Sequence, residues 1–135
     1  MENCIFCKII KGELPSAKIY EDEETLAFLD IQPVQLGHAL VIPKKHSDNF
    51  SQSLSEVINP LLHVCQKVGE AVKKGVAADG YNVSMNNGEA AGQIVHHLHF
   101  HVIPRYFNDG LKPWPHKKYK EGEMASVAAK ITREL

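Results

Sequence analysis

Between His97 and Pro104 the chain reads His-Leu-His-Phe-His-Val-Ile-Pro, and no other stretch limits the possible folds so sharply. Alternation from Leu98 onward and a proline stop specify a β-strand with two unlike faces. Leu98, Phe100 and Val102 point into a core. His97, His99 and His101 share the opposite face, about 6.6 Å apart at a rise of about 3.3 Å per residue. Just upstream, Asn86-Asn87-Gly88-Glu89-Ala90-Ala91-Gly92 is a glycine-punctuated run that can bring backbone N–H groups close to an anion.

Three imidazoles on one strand face admit three readings. They can be a solvated surface in a chain that has eight histidines in 135 residues. They can be metal ligands, since alternate strand positions present nitrogens to one side and imidazole binds zinc well. Or one of them is a nucleophile, because neutral imidazole has a lone pair to offer near pH 7 and can attack phosphorus.

The rest of the chain sets bounds. Its length suits one domain, residues 1–135, with a sizeable core. A net charge of −1 makes no electrostatic case for nucleic acid or an anionic membrane. The start of the chain carries no long apolar run, so neither a signal peptide nor a membrane span is expected, and the cytoplasm is the expected compartment. Cys4, Cys7 and Cys65 cannot all pair within one chain. In that compartment Cys4 and Cys7 read as thiols for a metal or for redox chemistry, and Cys65, in a helical apolar pattern, as a buried inert thiol. Only three residues precede Cys4, which disfavours thioredoxin-like chemistry, normally set at a helix start after a strand. A zinc site needs two further ligands, for which His46 and His97 are candidates; plain buried thiols remain the equal alternative.

The pattern predicts an α+β fold. A short amphipathic helix from Cys4 ends near Gly12 and Pro15. A hairpin follows, with strands at 17–22 and 25–30, then an apolar strand at 38–43. Asn59-Pro60 reads as a helix N-cap and first position, opening the main crossover helix, which runs to Gly75. Gly69 inside it costs about 1 kcal/mol against alanine, so close packing is expected there. A fourth strand at 81–86 and the histidine strand complete five. Beyond Arg105 an extended, variable tail over 106–135 leads to a weak helix at about 124–133, and Lys117-Lys118-Tyr119-Lys120 reads as solvated surface or a polyphosphate contact.

Four blocks of this sequence together resemble the histidine-triad family: Phe28-Leu29-Asp30-Ile31, Gly37 through His46, Asn86-Asn87-Gly88, and His97-Leu98-His99-Phe100-His101-Val102-Ile103. They lie in that family's order and approximate spacing over residues 4 to about 105, closest to its small nucleoside-phosphoramidase and diadenosine-polyphosphate hydrolase branches. The resemblance implies a histidine-triad-like fold, a five-stranded antiparallel sheet, and a two-fold homodimer. It implies cleavage at the α-phosphate of a purine nucleotide conjugate through a nucleotidyl-histidine. His99 would be the nucleophile, with His101 on the phosphate oxygens and His38 in support.

It further implies an AMP-like ligand held by Asp30 at the ribose and by Ile5, Phe6, Phe28 and Ile31 around the base. Asn86 and the backbone of Gly92, Gln93 and Ile94 would hold the phosphate. Structural zinc would sit on Cys4, Cys7, His46 and His97, and the chemistry itself would need no metal. At Ile94 many hydrolytic members carry serine or threonine, so a hydroxyl contact to phosphate or leaving group is lost here. Two rival functions remain: a metal-dependent hydrolase with the triad as ligands, and a nucleotide-binding scaffold with weak or no catalysis.

Overall fold

A computed structural model describes residues 3–135. The elements run α1 (Ile5–Ile10), β1 (Lys18–Glu21), β2 (Thr25–Leu29), β3 (Ala39–Pro43), α2 (Ser55–Gly75), β4 (Gly80–Met85), a 3-10 turn (Glu89–Ala91), β5 (Phe100–Arg105) and α3 (Glu123–Thr132). The five strands form one antiparallel sheet in the order β1-β2-β3-β5-β4. This is the expected α+β architecture. The histidine strand lies between β3 and β4, away from either edge.

Each face of the sheet is covered by one helix. On one side α2 buries Leu61, Val64, Cys65, Val68 and Val72 against Ala27, Ala39, Val41, Leu98, Phe100 and Val102. On the other, α1 lays Phe6 over Leu26, Phe28, Leu40 and Ile42. Period-two alternation in β2 and β3 therefore divides their side chains between two cores, which explains why β3 is buried at every position. Gly69 provides the predicted close approach: a Cβ there would come within 2.4 Å of the Tyr81 ring.

Two boundaries differ from the expectation. The main helix begins at Ser55, one turn before Asn59-Pro60, with the Leu54 carbonyl accepting from Val57 and Ile58 N–H. Pro60 thus sits inside the helix but close to its start, where its missing N–H removes one bond and not a run of them. The fifth strand begins at Phe100, two residues after Leu98. Leu98 gives its N–H to the Ser47 carbonyl at 2.7 Å, so the chain bends there, and only His101 of the three histidines lies within the strand.

Nor is the histidine face solvated. His97 is fully buried and His99 is 8% exposed, beneath Phe6 of α1. The tail is the opposite: α3 buries no residue, and Trp114, Met124 and Ile131 are exposed. Among the described residues no helix is long and apolar enough to cross a membrane.

Candidate functional site

Two pairs of histidines meet on the α1 side of the sheet, and hydrogen-bond partners decide where their protons lie. In the first pair, His38 Nε2 is 2.9 Å from His101 Nδ1. The Val34 main-chain N–H donates to His38 Nδ1 at 3.1 Å. A nitrogen that accepts carries no proton, so neutral His38 holds its proton on Nε2 and donates it to His101 Nδ1. His101 must then keep its own proton on Nε2. Among the described residues, that nitrogen is the buried side-chain polar atom that finds no partner.

His99 is set the other way. Its Nδ1–H donates to the His97 carbonyl at 2.7 Å, which leaves Nε2 as a bare lone pair. The rings of His99 and His101 stand 5.1 Å apart. Side by side, one imidazole offers a lone pair and the next a proton. Burial pushes all three below the usual histidine range: His38 and His99 each against the pull of Asp30, and His101 to about 4 with help from His99 and His38. They are neutral at pH 7.

The second pair has a different balance. His97 donates Nε2–H to the Pro43 carbonyl at 2.8 Å, and His46 donates Nε2–H to Asp48 at 2.7 Å. Their Nδ1 atoms, both then bare, face each other at 3.1 Å. Cys4 Sγ lies 3.3 Å from His97 Nδ1, and Cys7 Sγ lies 3.3 Å from His46 Nδ1. All four donor atoms are within 4.8 Å of one another. In a tetrahedron with Zn–N of about 2.0–2.1 Å and Zn–S of about 2.3 Å, neighbouring ligands stand about 3.3–3.8 Å apart, close to this arrangement. Carbonyl and carboxylate acceptors behind both imidazoles are the partners that hold metal-binding histidines in the right tautomer.

The donor set therefore fits a tetrahedral soft cation. Burial and the neighbouring Cys4 sulfur raise the Cys7 thiol, so binding such a cation would release thiol protons. Cys4 Sγ also accepts the Cys7 N–H at 3.4 Å, capping α1. The free thiol of Cys65 is buried against the sheet, and its pKa is pushed up to about 12 by that burial.

The remaining predicted residues fall into two groups. Asp30 is drawn to the first pair, its Oδ2 3.7 Å from His38 Nε2, while its Oδ1 accepts from Gln32 N–H. Phe6 and Phe28 are buried and meet edge to face at 5.6 Å, with Phe6 5.2 Å from the His99 ring; they are a floor more than a wall. Ile31 is 94% exposed and Ile5 is 47% exposed.

The glycine loop is more committed than its sequence suggests. Gln93 spends its whole side chain internally, accepting from Gly88 N–H and donating to the Asp48 and Val95 carbonyls. The main-chain N–H groups of Gly92 and Gln93 go to Glu89 and Gly88 carbonyls. Gly92 has φ of +95°, and a Cβ there would press on Asn86, whose amide reaches the Gly92 carbonyl at 3.4 Å. Ile94 is exposed. Of the Gly92-Gln93-Ile94 amides, only that of Ile94 has no hydrogen-bond partner among the described residues.

Val34, Pro43 and Asp48 were not legible as site residues. They act through two main-chain atoms and a carboxylate, and only Asp48, two residues past His46, leaves any trace in the sequence. A cavity of about 510 Å³ between α2 and the β1–β2 side of the sheet, with Lys67 its single charged wall group, contains none of these histidines.

Residues 11–108 match the HIT domain model. The chain belongs to the HIT family. A Schizosaccharomyces pombe HIT protein named adenosine 5'-monophosphoramidase hnt1 is 39% identical over 135 residues, covering 98% of both chains. The crystal structure of a HIT-family member from Bacillus subtilis superposes with a TM-score of 0.89 at 44% identity, covering 98% of this chain and 97% of that one. A zinc-bound histidine triad protein from Mycobacterium smegmatis matches with a TM-score of 0.79 at 36% identity, over 99% of both chains. The HIT fold is thus shared along nearly the whole length.

Proposed function

We propose that this HIT protein hydrolyses purine nucleotide conjugates at the α-phosphate through a nucleotidyl-His99 intermediate. The observation that carries the reading is the opposed protonation of two neighbouring nitrogens: bare Nε2 on His99 and protonated Nε2 on His101. His99 Nε2 attacks phosphorus while the leaving group departs on the far side. Phosphorylated on Nε2 and still protonated on Nδ1, His99 is cationic, and the His97 carbonyl bears on that charge. Water then attacks phosphorus, one of its protons staying on the new P–O–H and the other passing to solvent, and His99 leaves as neutral imidazole, having needed no added proton. His101 Nε2–H hydrogen-bonds the phosphoryl oxygens throughout.

In this reading Asp30 accepts the ribose hydroxyls and Ile5 and Ile31 border the base, with Phe6 and Phe28 behind them. The N–H of Ile94 and the amide of Asn86 take the remaining phosphate oxygens. The name of the fission yeast relative, an adenosine 5'-monophosphoramidase, supports an adenine nucleotide. Three triad histidines acting together as metal ligands find no support, since their ring nitrogens are aimed at three different partners.

The reading extends to zinc and to assembly. Zinc on Cys4, Cys7, His46 and His97 would be four-coordinate and structural, tying α1 to the chain leading into β5; the zinc-bound mycobacterial relative supports this. A homodimer would use the open edge of β4, where Val83 is exposed beside Leu62 of α2. The deciding experiment quenches the protein with a radiolabelled adenosine conjugate in acid and in alkali. An acid-labile, alkali-stable adduct, absent from His99→Ala, is expected; no adduct and no turnover with phosphoramidates or dinucleoside polyphosphates would leave a binding scaffold.

A further inference from the structure

Resting on the zinc reading of Cys4, Cys7, His46 and His97, we infer that Cys4 and Cys7 are a modification site for peroxide: oxidation joins them as a disulfide, expels the metal ion and loosens α1 over the nucleotide site. The placement of the two thiols carries this. Cys4 is the N-cap of α1 and Cys7 its third residue, and Cys4 Sγ accepts the Cys7 N–H at 3.4 Å. Both sulfurs thus belong to one helical turn and lie within 4.8 Å of each other. Side-chain rotation can bring them to a bond of about 2.0 Å.

Exposure decides which sulfur reacts first. Cys4 is half-buried and lines an open cavity of about 410 Å³ beside His46, Asp48 and Ile94, whereas Cys7 is buried. A small oxidant therefore meets Cys4. Its sulfur attacks one oxygen of hydrogen peroxide, the O–O electron pair leaves on the other oxygen as water, and a sulfenic acid remains. Cys7 sulfur then displaces hydroxide from Cys4 sulfur and closes the disulfide. In sum, two metal-bound thiolates, one hydrogen peroxide and two protons give one disulfide, two waters and the free ion. Two electrons pass from sulfur to oxygen.

The disulfide is a poor ligand. Cys4 Sγ and Cys7 Sγ, now 3.3 Å from His97 Nδ1 and His46 Nδ1, are drawn away from those nitrogens and toward each other. Two imidazoles remain where a tetrahedral site needs four donors. Cys65 cannot substitute, because it is buried between α2 and the opposite face of the sheet.

Phe6 links this change to the catalytic histidines. It stands between the two cysteines in sequence, and its ring meets His97 edge-on at 5.8 Å and His99 at 5.2 Å. Rearranging the first turn of α1 shifts this ring, the floor beneath the proposed base position.

The test treats zinc-loaded protein with hydrogen peroxide. A colorimetric dye should report one zinc released per disulfide formed. Mass spectrometry after alkylation should find Cys4 and Cys7 protected together and Cys65 still a free thiol. Lys8 and Lys11 give their N–H groups to the Cys4 and Cys7 carbonyls at 3.1 Å, and their hydrogen exchange should quicken about tenfold as the helix loosens. By calorimetry the Kd for AMP should rise about threefold or more, the worth of one aromatic contact. Dithiothreitol with added zinc should reverse every change.

Sulfinic acid at Cys4 with no disulfide, or a disulfide with zinc retained, would overturn the inference and leave the zinc site standing. Unchanged exchange at Lys8 and Lys11 after complete oxidation would overturn it as well, as would an unchanged AMP affinity. A protein that takes up no zinc would instead remove the reading beneath it. If the reduced, zinc-loaded protein bound no AMP, the nucleotide reading would fall and with it the link from α1 to the site.

Discussion

The proton on each buried histidine is placed by a particular partner: the His97 carbonyl holds it on Nδ1 of His99, while His38 Nε2–H on Nδ1 of His101 leaves it on Nε2 there. In the metal-free protein His97 and His101 are held neutral down to about 4 by burial. Their folded values lie below the unfolded one, so the unfolded chain binds more protons between pH 6.5 and 4. Stability should be full above pH 6.5 and fall as pH drops toward 4. At about 1.4 kcal/mol per pKa unit, each group contributes on the order of 3 kcal/mol to that loss. Urea unfolding at pH 7.5 and 4.5 should show the drop, and it should be smaller in His101→Asn, which keeps a side-chain amide and loses the titration.

The sequence disclosed which residues would matter at this scale but not their tautomers. His99 stands out in the alternation, yet its bare Nε2 is set by a carbonyl two residues earlier, and the protonated Nε2 of His101 by an amide N–H in the 31–37 loop. Main-chain atoms have no letter in the sequence.

At the scale of elements, α1 depends on what its side chains contact more than on its own propensity. Six residues are too few to hold a helix in water unaided, and α1 is anchored by Phe6 in the second core and by Cys4 and Cys7 beside His46 and His97. Chelation of zinc-loaded protein, or Cys7→Ser, is expected to lower the thermal midpoint by several degrees, with release of one zinc per chain measured by a colorimetric dye. A midpoint unchanged by loading would place those side chains outside metal binding. The cluster was readable as Cys-x-x-Cys with two candidate histidines. Its convergence depends on α1 folding back across β2 and β3, which brings together Cys4 and His97, 93 positions apart in sequence.

The packing of α2 on the sheet gives the companion prediction. Gly69→Ala would drive a methyl into the Tyr81 ring and should destabilise by about 1–3 kcal/mol by overpacking, despite the gain in helix propensity. Tyr81→Ala should relieve the penalty, since the obstruction is that ring. A double-mutant cycle by urea denaturation measures the coupling. The helix starts earlier than its sequence suggests for a local reason: Asn59-Pro60 has the composition of a cap, but the Leu54 carbonyl already accepts from the first turn.

Taken whole, the molecule divides into a body that carries the site and a tail that the body does not bury. Truncation after Leu111 should leave the sheet's circular dichroism and urea midpoint nearly unchanged, because α3 buries nothing. Light scattering on both forms would show whether the proposed dimer depends on the tail.

By itself the sequence determined the alternating core, the two-faced strands, the metal-type donor set and the family, because side-chain type and period are written locally. Tertiary structure alone decided that the histidine face lies beneath a helix, that the glycine loop consumes most of its own amides, and that two adjacent imidazoles are protonated in opposite senses. The physical reason is that a proton's place on a ring follows from the partner across from it, and those partners are main-chain atoms brought near by the fold.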